Sequence, residues 1–201
     1  YQHTGYSIAV GDYDRDGWLD LHINEWGSSE LIPKGAFSHA RLLRNRGLAA
    51  PGHFEDATVQ AGVVLDNVQS QTEIDLVVPT LSSPRGPFAF ASAFVDLDSD
   101  GWPDLAVVSD NGHSRLFWNN GNGTFTDGTL NARVGTDKSG MGLTFGDFDG
   151  DGDLDWFVTA IYAETDECTG SDCDGRKTSG NRLYRNEGGR SFADATSFAD
   201  V

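Results

Sequence analysis

The sequence predicts an all-β protein made of three repeated units, each a four-stranded antiparallel sheet. An acidic segment of the form D-x-D-x-D-G-x-x-D occurs three times, and the same two short elements follow each copy. Short runs of β-branched and aromatic residues lie between these elements, bounded by Gly, Asn, Ser and Pro. This is the pattern of short strands joined by turns.

Each element can be read directly in the sequence. The acidic copies are YSIAVGDYDRDGWLDLHI from Tyr6, FASAFVDLDSDGWPDLAVV from Phe90 and GMGLTFGDFDGDGDLDWFV from Gly140. The second element is RLLRNRG at Arg41, RLFWNNG at Arg115 and RLYRNEG at Arg182, and the third is HFEDAT at His53, TFTDGT at Thr124 and SFADAT at Ser191. In the first unit these elements predict strands at Ser7 to Val10, Leu21 to Asn24, Arg41 to Arg44 and His53 to Thr58.

Four-stranded units of this length are typical of the blades of a β-propeller, in which radial repetition protects the strand edges. We expect one repeat domain over residues 1–201, with blade 1 at about 1–62, an insertion at 63–87, blade 2 at about 88–134 and blade 3 at about 135–201. A β-sandwich is the alternative, but it would not require the same acidic loop at the same point of each unit.

Three blades are fewer than the four to eight of most propellers, which predicts a partial or open propeller. Three explanations are open: an excised fragment of a longer propeller, an open three-blade module, or self-association through the blade edges.

Charge and composition exclude several function classes. The chain has 14 basic and 31 acidic residues in 201, so its net charge is −17, which disfavours nucleic acid and anionic membrane surfaces as partners. Hydrophobic residues make up 38% of the chain, enough for a sizeable core. No apolar run has the length of a membrane span and no leader precedes Tyr1, so we expect a mature protein or an excised domain without membrane insertion.

The acidic loop has the ligand spacing of a calcium site. Oxygen ligands at alternate positions of a tight loop suit a hard cation, and a Gly at position 6 permits the sharp turn. Mg²⁺ is disfavoured because it requires a strict octahedron, and softer metals would call for His or Cys. The predicted ligands at positions 1, 3, 5 and 9, with a backbone carbonyl at position 7, are Asp12, Asp14, Asp16, Asp20 and Trp18; Asp96, Asp98, Asp100, Asp104 and Trp102; and Asp147, Asp149, Asp151, Asp155 and Asp153.

These loops differ from EF-hands, which close with a bidentate Glu at position 12. Position 12 is Ile23, Val107 and Val158 in the three copies, which fits a strand leaving the loop. The sequence therefore disfavours a helix-loop-helix calcium sensor and predicts three Ca²⁺ sites in β-hairpins.

On these motifs the chain resembles FG-GAP (VCBS) repeats, the blades of the integrin α-subunit propeller. The stretch FGDFDGDGDLD from Phe145, with RLYRNEG and FADAT, is also similar to the repeats beside UnbV/ASPIC modules and in cartilage acidic protein. The resemblance implies a β-propeller with Ca²⁺ between strands 1 and 2 of each blade. Copy two departs from the others at Val95 and Pro103, and neither change removes a ligand side chain.

The two cysteines predict a small loop disulfide. Cys168 and Cys173 lie in the polar stretch TDECTGSDCDGRKTSG, and a disulfide there implies an oxidising compartment. Two free thiols on an exposed loop are the alternative. A zinc site is disfavoured because no second Cys or His pair has ligand spacing.

Together these observations predict a non-enzymatic, calcium-stabilised extracellular module for adhesion or for recognition of a protein or glycan. The alternative is the propeller portion of a secreted enzyme that processes polysaccharide or phosphoester, although no nucleophile–base pair is evident. A structural spacer is a third interpretation. We expect the partner on the face opposite the calcium loops, where loops of variable length contain Trp26, Phe37, His39, Asn111, His113, Tyr162, Arg176 and Lys177.

Overall fold

The computed structural model describes residues 4–26, 40–65, 88–110, 114–137, 139–161 and 180–199. These residues form three four-stranded antiparallel sheets, each a simple meander in chain order. The all-β prediction is confirmed. The strands are β1 (Thr4–Gly11), β2 (Asp20–Trp26), β3 (Ala40–Asn45) and β4 (Phe54–Asp56); β5 (Phe88–Val95), β6 (Asp104–Asp110), β7 (Arg115–Asn119) and β8 (Phe125–Asp127); and β9 (Gly140–Gly146), β10 (Asp155–Ala160), β11 (Arg182–Asn186) and β12 (Phe192–Asp194).

One helical turn follows the fourth strand of each sheet. These turns are α1 (Thr58–Ala61), α2 (Thr129–Ala132) and α3 (Thr196–Ala199), and a 3₁₀ turn at Gly47–Ala49 lies between β3 and β4. None of the described helices is long and apolar enough to cross a membrane.

The fourth strand of blade 1 is shorter than the predicted His53 to Thr58, because the Asp-x-Thr sequence turns the chain. Asp56 accepts hydrogen bonds from both the backbone N–H and the hydroxyl of Thr58, at 3.0 and 2.6 Å. The Thr58 hydroxyl in turn accepts a bond from the backbone N–H of Leu42 in β3. The same backbone contacts recur at Thr129 and Thr196, so the third repeated element encodes a turn fastened to the third strand.

The middle sheet is buried on both faces, which explains the continuous apolar run of β6. Alternate residues of a strand point to opposite faces. Leu105 and Val107 join a core cluster with residues of the first sheet, whereas Ala106 and Val108 join a second cluster with residues of the third sheet. The middle blade therefore separates two interfaces.

The first sheet has a face that the described residues leave uncovered. Ile8 and Val10 on β1 are 58% and 55% exposed, although both belong to a strand whose Ala9 is buried. Contacts run from the first sheet to the second and from the second to the third, in an open, blade-like arrangement. Of the predicted insertion, Val63 and Leu65 are buried in the first core cluster, and residues 66–87 lie outside the described residues.

Candidate metal centres

Each of the three acidic loops brings carboxylates together where the first strand of a sheet turns into the second. One carboxylate oxygen from each of three Asp residues lies within 4.8 Å of the others. The side chains at these positions are therefore close enough to bind a common ion. The clusters contain the Asp residues at positions 1, 3 and 9, namely Asp12, Asp14 and Asp20; Asp96, Asp98 and Asp104; and Asp147, Asp149 and Asp155.

The loop backbone turns through left-handed conformations at positions 4 and 6. Position 6 is Gly in every copy, with φ of 90°, 88° and 97° at Gly17, Gly101 and Gly152. The turn predicted at this glycine is therefore present. The left-handed backbone at position 4 was not predicted: Arg15 and Ser99 have φ of 54° and 61° there, and the third copy uses Gly.

The first Asp of each loop accepts hydrogen bonds from the backbone N–H groups of the turn. Asp12 accepts bonds from the backbone N–H groups of Asp16 and Gly17, so both of its oxygens are used. Asp96 accepts from Gly101 through Oδ2 at 2.9 Å, while its Oδ1 is buried and has no hydrogen-bond partner among the described residues. A buried, unpaired carboxylate oxygen carries a desolvation cost that a cation would remove.

The last Asp of each loop is buried and holds the hairpin closed. Asp20 and Asp104 are 0% exposed, and Asp155 is 1% exposed. In each, one oxygen accepts from the N–H at loop position 2, and the other accepts from the N–H of the Asn that ends the third strand. Burial raises the pKa of Asp20 to about 6 and that of Asp104 to about 7, although these N–H donors lower both values.

An arginine side chain contacts each of the first two loops, but it comes from the same blade in one case and from the neighbouring blade in the other. Arg44 donates to Asp14 at 2.6 Å and to Asp16 at 3.2 Å within blade 1. In blade 2 the corresponding strand position is Trp118, and the arginine that contacts the loop comes from blade 3. Arg190 lies over the Trp118 ring at 5.2 Å from its centroid and donates to Asp98 at 2.5 Å. The second loop is thus bridged to the third blade.

Two asparagines join neighbouring blades at the loops. Asn119 donates one amide hydrogen to the carbonyl of Tyr13 in the first loop, and Asn186 donates one to the carbonyl of Leu97 in the second loop, at 2.9 and 2.8 Å. Both carbonyls belong to loop position 2, whose side chains are 2% and 3% exposed in the inter-blade cores. Phe148, at the same position of the third loop, is 43% exposed.

The other predicted ligands lie beside the clusters. The position 5 residues Asp16, Asp100 and Asp151 are not in the groups of three, and each accepts a bond from the backbone N–H two residues later, at Trp18, Trp102 and Asp153. The position 7 carbonyls remain predicted ligands. The ring of Trp102 faces the guanidinium of Arg15 from the first loop, 5.1 Å from its centroid, so neighbouring loops also touch through side chains.

The predicted partner residues fall almost entirely outside the described part of the chain. Trp26 ends β2, opposite Thr4. The remainder lie outside the described residues, as do both cysteines of the predicted disulfide: Phe37, His39, Asn111, His113, Tyr162, Arg176, Lys177, Cys168 and Cys173.

The asparagine contacts were not predicted from the sequence. Asn45, Asn119 and Asn186 occupy the same place in all three RL elements, and that recurrence was the available signal. A polar residue repeated at the end of a strand, next to an acidic loop, is a candidate for holding that loop.

Comparison with known proteins agrees with this geometry. The FG-GAP-like repeat family matches residues 96–158, from the first Asp of the second loop into β10. The chain is also 26% identical over 177 residues to phosphatidylinositol-glycan-specific phospholipase D of Rattus norvegicus, a match that covers 81% of this chain and 19% of that protein. The chain therefore spans less than a fifth of that relative's length. On this comparison, residues 96–158 are similar to the FG-GAP-like repeat family, and the three sheets of the chain share one meander topology.

Proposed function

We propose that each acidic loop binds one Ca²⁺ ion and that these ions stabilise an extracellular recognition or adhesion module. The observation that carries the metal assignment is the buried Asp96 Oδ1, which has no hydrogen-bond partner among the described residues in a loop where three carboxylates converge. The donors are all oxygens, which suits a hard cation, and no His or Cys belongs to the three clusters found in the described part of the chain.

Electrostatics supports an ion at these positions. At an effective dielectric constant of about 20, two unit charges 4.8 Å apart repel by about 3 kcal/mol. Within the described ranges, the nearby guanidinium groups neutralise only part of this repulsion, because they pair with the position 3 and position 5 residues and not with the buried position 9 carboxylate. A divalent ion would relieve the repulsion within each cluster.

In this proposal calcium has a structural role. Three ions would change the formal charge from −17 to about −11. With a dissociation constant of about 0.1 mM and free Ca²⁺ of about 1 mM, each site would add about 1.4 kcal/mol to the free energy of unfolding. The three sites together would contribute about 4 kcal/mol, a large part of the net stability of a domain.

Calorimetric titration of the purified chain with CaCl₂, alongside thermal unfolding, tests the metal assignment. We expect a rise in Tm of about 8 to 16 °C between EDTA and 1 mM Ca²⁺, from about 2 to 4 °C per kcal/mol for a chain of this size. Asp96→Asn should remove one equivalent of bound Ca²⁺, whereas Glu55→Gln, in a different blade, should not. Absence of any calcium response would refute the assignment.

A second candidate function is favoured by the similarity to the phospholipase D. In that case the chain would be the propeller portion of a phosphoester-processing enzyme, with its catalytic groups elsewhere. We propose that this chain is itself non-enzymatic. Calcium-dependent hydrolysis of bis-p-nitrophenyl phosphate by the purified chain, lost in Asp96→Asn, would contradict that proposal.

Recognition of a protein or glycan is proposed from the architecture. The repeats form a scaffold of three packed sheets, and specificity commonly lies in loops carried on such scaffolds. A glycan array and an extracellular protein panel, both probed in 1 mM Ca²⁺ and in EDTA, test this part. A ligand bound equally well in both media would show that recognition is independent of the ions.

A further inference from the structure

We infer that the three loops bind calcium cooperatively, because a continuous path of hydrogen bonds joins the last carboxylate of each loop to that of the next. The inference rests on the proposed calcium binding. It assigns Asn119 and Asn186 as positioning residues, each acting on the metal loops of two blades.

The first link runs from blade 1 to blade 2. Asp20 Oδ2 accepts from the N–H of Tyr13, and the carbonyl of Tyr13 accepts from the side-chain amide of Asn119 at 2.9 Å. The backbone N–H of Asn119 then donates to Asp104 Oδ1 at 2.8 Å. Asn119 is 1% exposed, so water does not compete for these bonds.

The second link repeats the first between blades 2 and 3. Asp104 Oδ2 accepts from the N–H of Leu97, whose carbonyl accepts from the side-chain amide of Asn186 at 2.8 Å. The N–H of Asn186 donates to Asp155 Oδ1, also at 2.8 Å. Asn186 is 2% exposed. The path therefore passes through a candidate ligand in every loop.

The Tyr13 carbonyl lies where a bound ion would restrict its movement. Tyr13 lies between Asp12 and Asp14, two of the three clustered residues of the first loop. An ion that binds both flanking carboxylates restricts the intervening backbone, and with it the carbonyl that holds Asn119. The second loop then loses less conformational freedom when it binds its own ion, which gives positive coupling without a large structural change.

Asn45 provides a matched control. Its side-chain amide donates to the carbonyl of Leu19, its Oδ1 accepts from Gly47, and its backbone N–H donates to Asp20. Asn119 makes the equivalent bonds to Pro103, Gly121 and Asp104, and adds the cross-blade bond to Tyr13. Within the described part of the chain, Asn119 therefore differs from Asn45 by its hydrogen bond to the neighbouring blade.

The test measures how the first loop influences the second. In the full chain, Asp12→Asn with Asp14→Asn disables the first loop, and Ca²⁺ affinity at the second loop is followed by calorimetry and by Trp102-sensitised Tb³⁺ luminescence. We expect the second loop to bind calcium at least about fivefold more weakly when the first is disabled, at the low end of typical coupling between sites. In an Asn119→Ala background this difference should disappear, whereas in Asn45→Ala it should persist.

The outcomes separate the inference from the proposed function. If calcium does not bind at all, the proposed function fails. If three ions bind but disabling the first loop leaves the second unchanged in the unmutated Asn119 chain, the cooperativity inference is wrong and the calcium assignment stands. That comparison requires no Asn119 variant, so it holds even if Asn119→Ala does not fold. Equal loss of coupling in Asn45→Ala and Asn119→Ala would also overturn the inference.

Discussion

Replacing Gly128 by Ala should strain the interface between blades 2 and 3. A Cβ at this position would lie 2.1 Å from both Cδ1 and Nε1 of Trp118. The backbone itself accepts Ala, because Gly128 has φ −106° and ψ 0°, and Ala57 adopts φ −103° and ψ 1° at the equivalent place in blade 1. The substitution therefore isolates a side-chain clash from backbone strain.

The size of the effect follows from how firmly Trp118 is held. The residue is 4% exposed, its ring stacks on Phe192 at 6.5 Å between centroids, and the Arg190 guanidinium lies 5.2 Å from the ring centroid. Overpacking a tight core costs about 1 to 3 kcal/mol, and we take the upper end because the ring has little room to move. Ala also lowers the conformational entropy of the unfolded chain relative to Gly, which offsets about 0.4 to 1 kcal/mol of this cost. The net loss should be about 2 kcal/mol, or about 4 to 8 °C in Tm.

Chemical unfolding in EDTA measures this effect without any contribution from bound ions. Gly146→Ala is the control, because a Cβ there meets no described atom within 4 Å and its effect should stay within about 0.5 kcal/mol. In a Trp118→Phe background, Gly128→Ala should cost at least about 1 kcal/mol less than in the native background. Equal costs in both backgrounds would refute the reasoning.

Other predictions concern the third loop and a buried acid. Asp155→Asn should lower the free energy of unfolding by about 1 to 3 kcal/mol even in EDTA, because one of its two N–H donors loses its acceptor. Unfolding in urea measures this loss, and an unchanged urea midpoint would contradict the prediction. Asp149→Ala should lower Tm at millimolar Ca²⁺ but have little effect in EDTA; equal losses in both media would exclude a metal role. Burial raises the pKa of Asp137 to about 6, so its ionisation should destabilise the fold as pH rises from about 4 to 6. Asp137→Asn should flatten that part of the pH–stability profile, and an unchanged profile would count against this assignment.

The repeat pattern predicted the sheets well because strand, loop and turn residues recur in a fixed register. The first strand of blade 1 was predicted at Ser7 to Val10 and is observed at Thr4–Gly11. Its start was harder to place, since the bulge between Gly5 and Ser7 has no sequence signature. The fourth strand was predicted too long because Asp56 and Thr58 favour a turn through their side chains, which apolar periodicity does not detect.

The sequence predicted which carboxylates the loops bring together, but not the residues that support the loops. The spacing of the acidic loop singles out Asp12, Asp14 and Asp20, which the structure brings together, because it depends only on positions within one loop. The contact from Asn119 to Tyr13 joins residues 106 positions apart, and it exists only once two blades are packed. Likewise, the pairing of Arg190 with Asp98 follows from the neighbouring blade, not from the spacing within the loop.

The buried carboxylate at the end of each loop has a consequence for calcium depletion. Because Asp155 is bonded to backbone N–H groups at Phe148 and Asn186, it anchors the start of the loop to the third strand without any ion. With calcium bound as proposed, its removal should then loosen the loops, including the position 2 carbonyls that join neighbouring blades, while the sheets persist. When calcium returns, the proposed sites should therefore refill on sheets that are already folded.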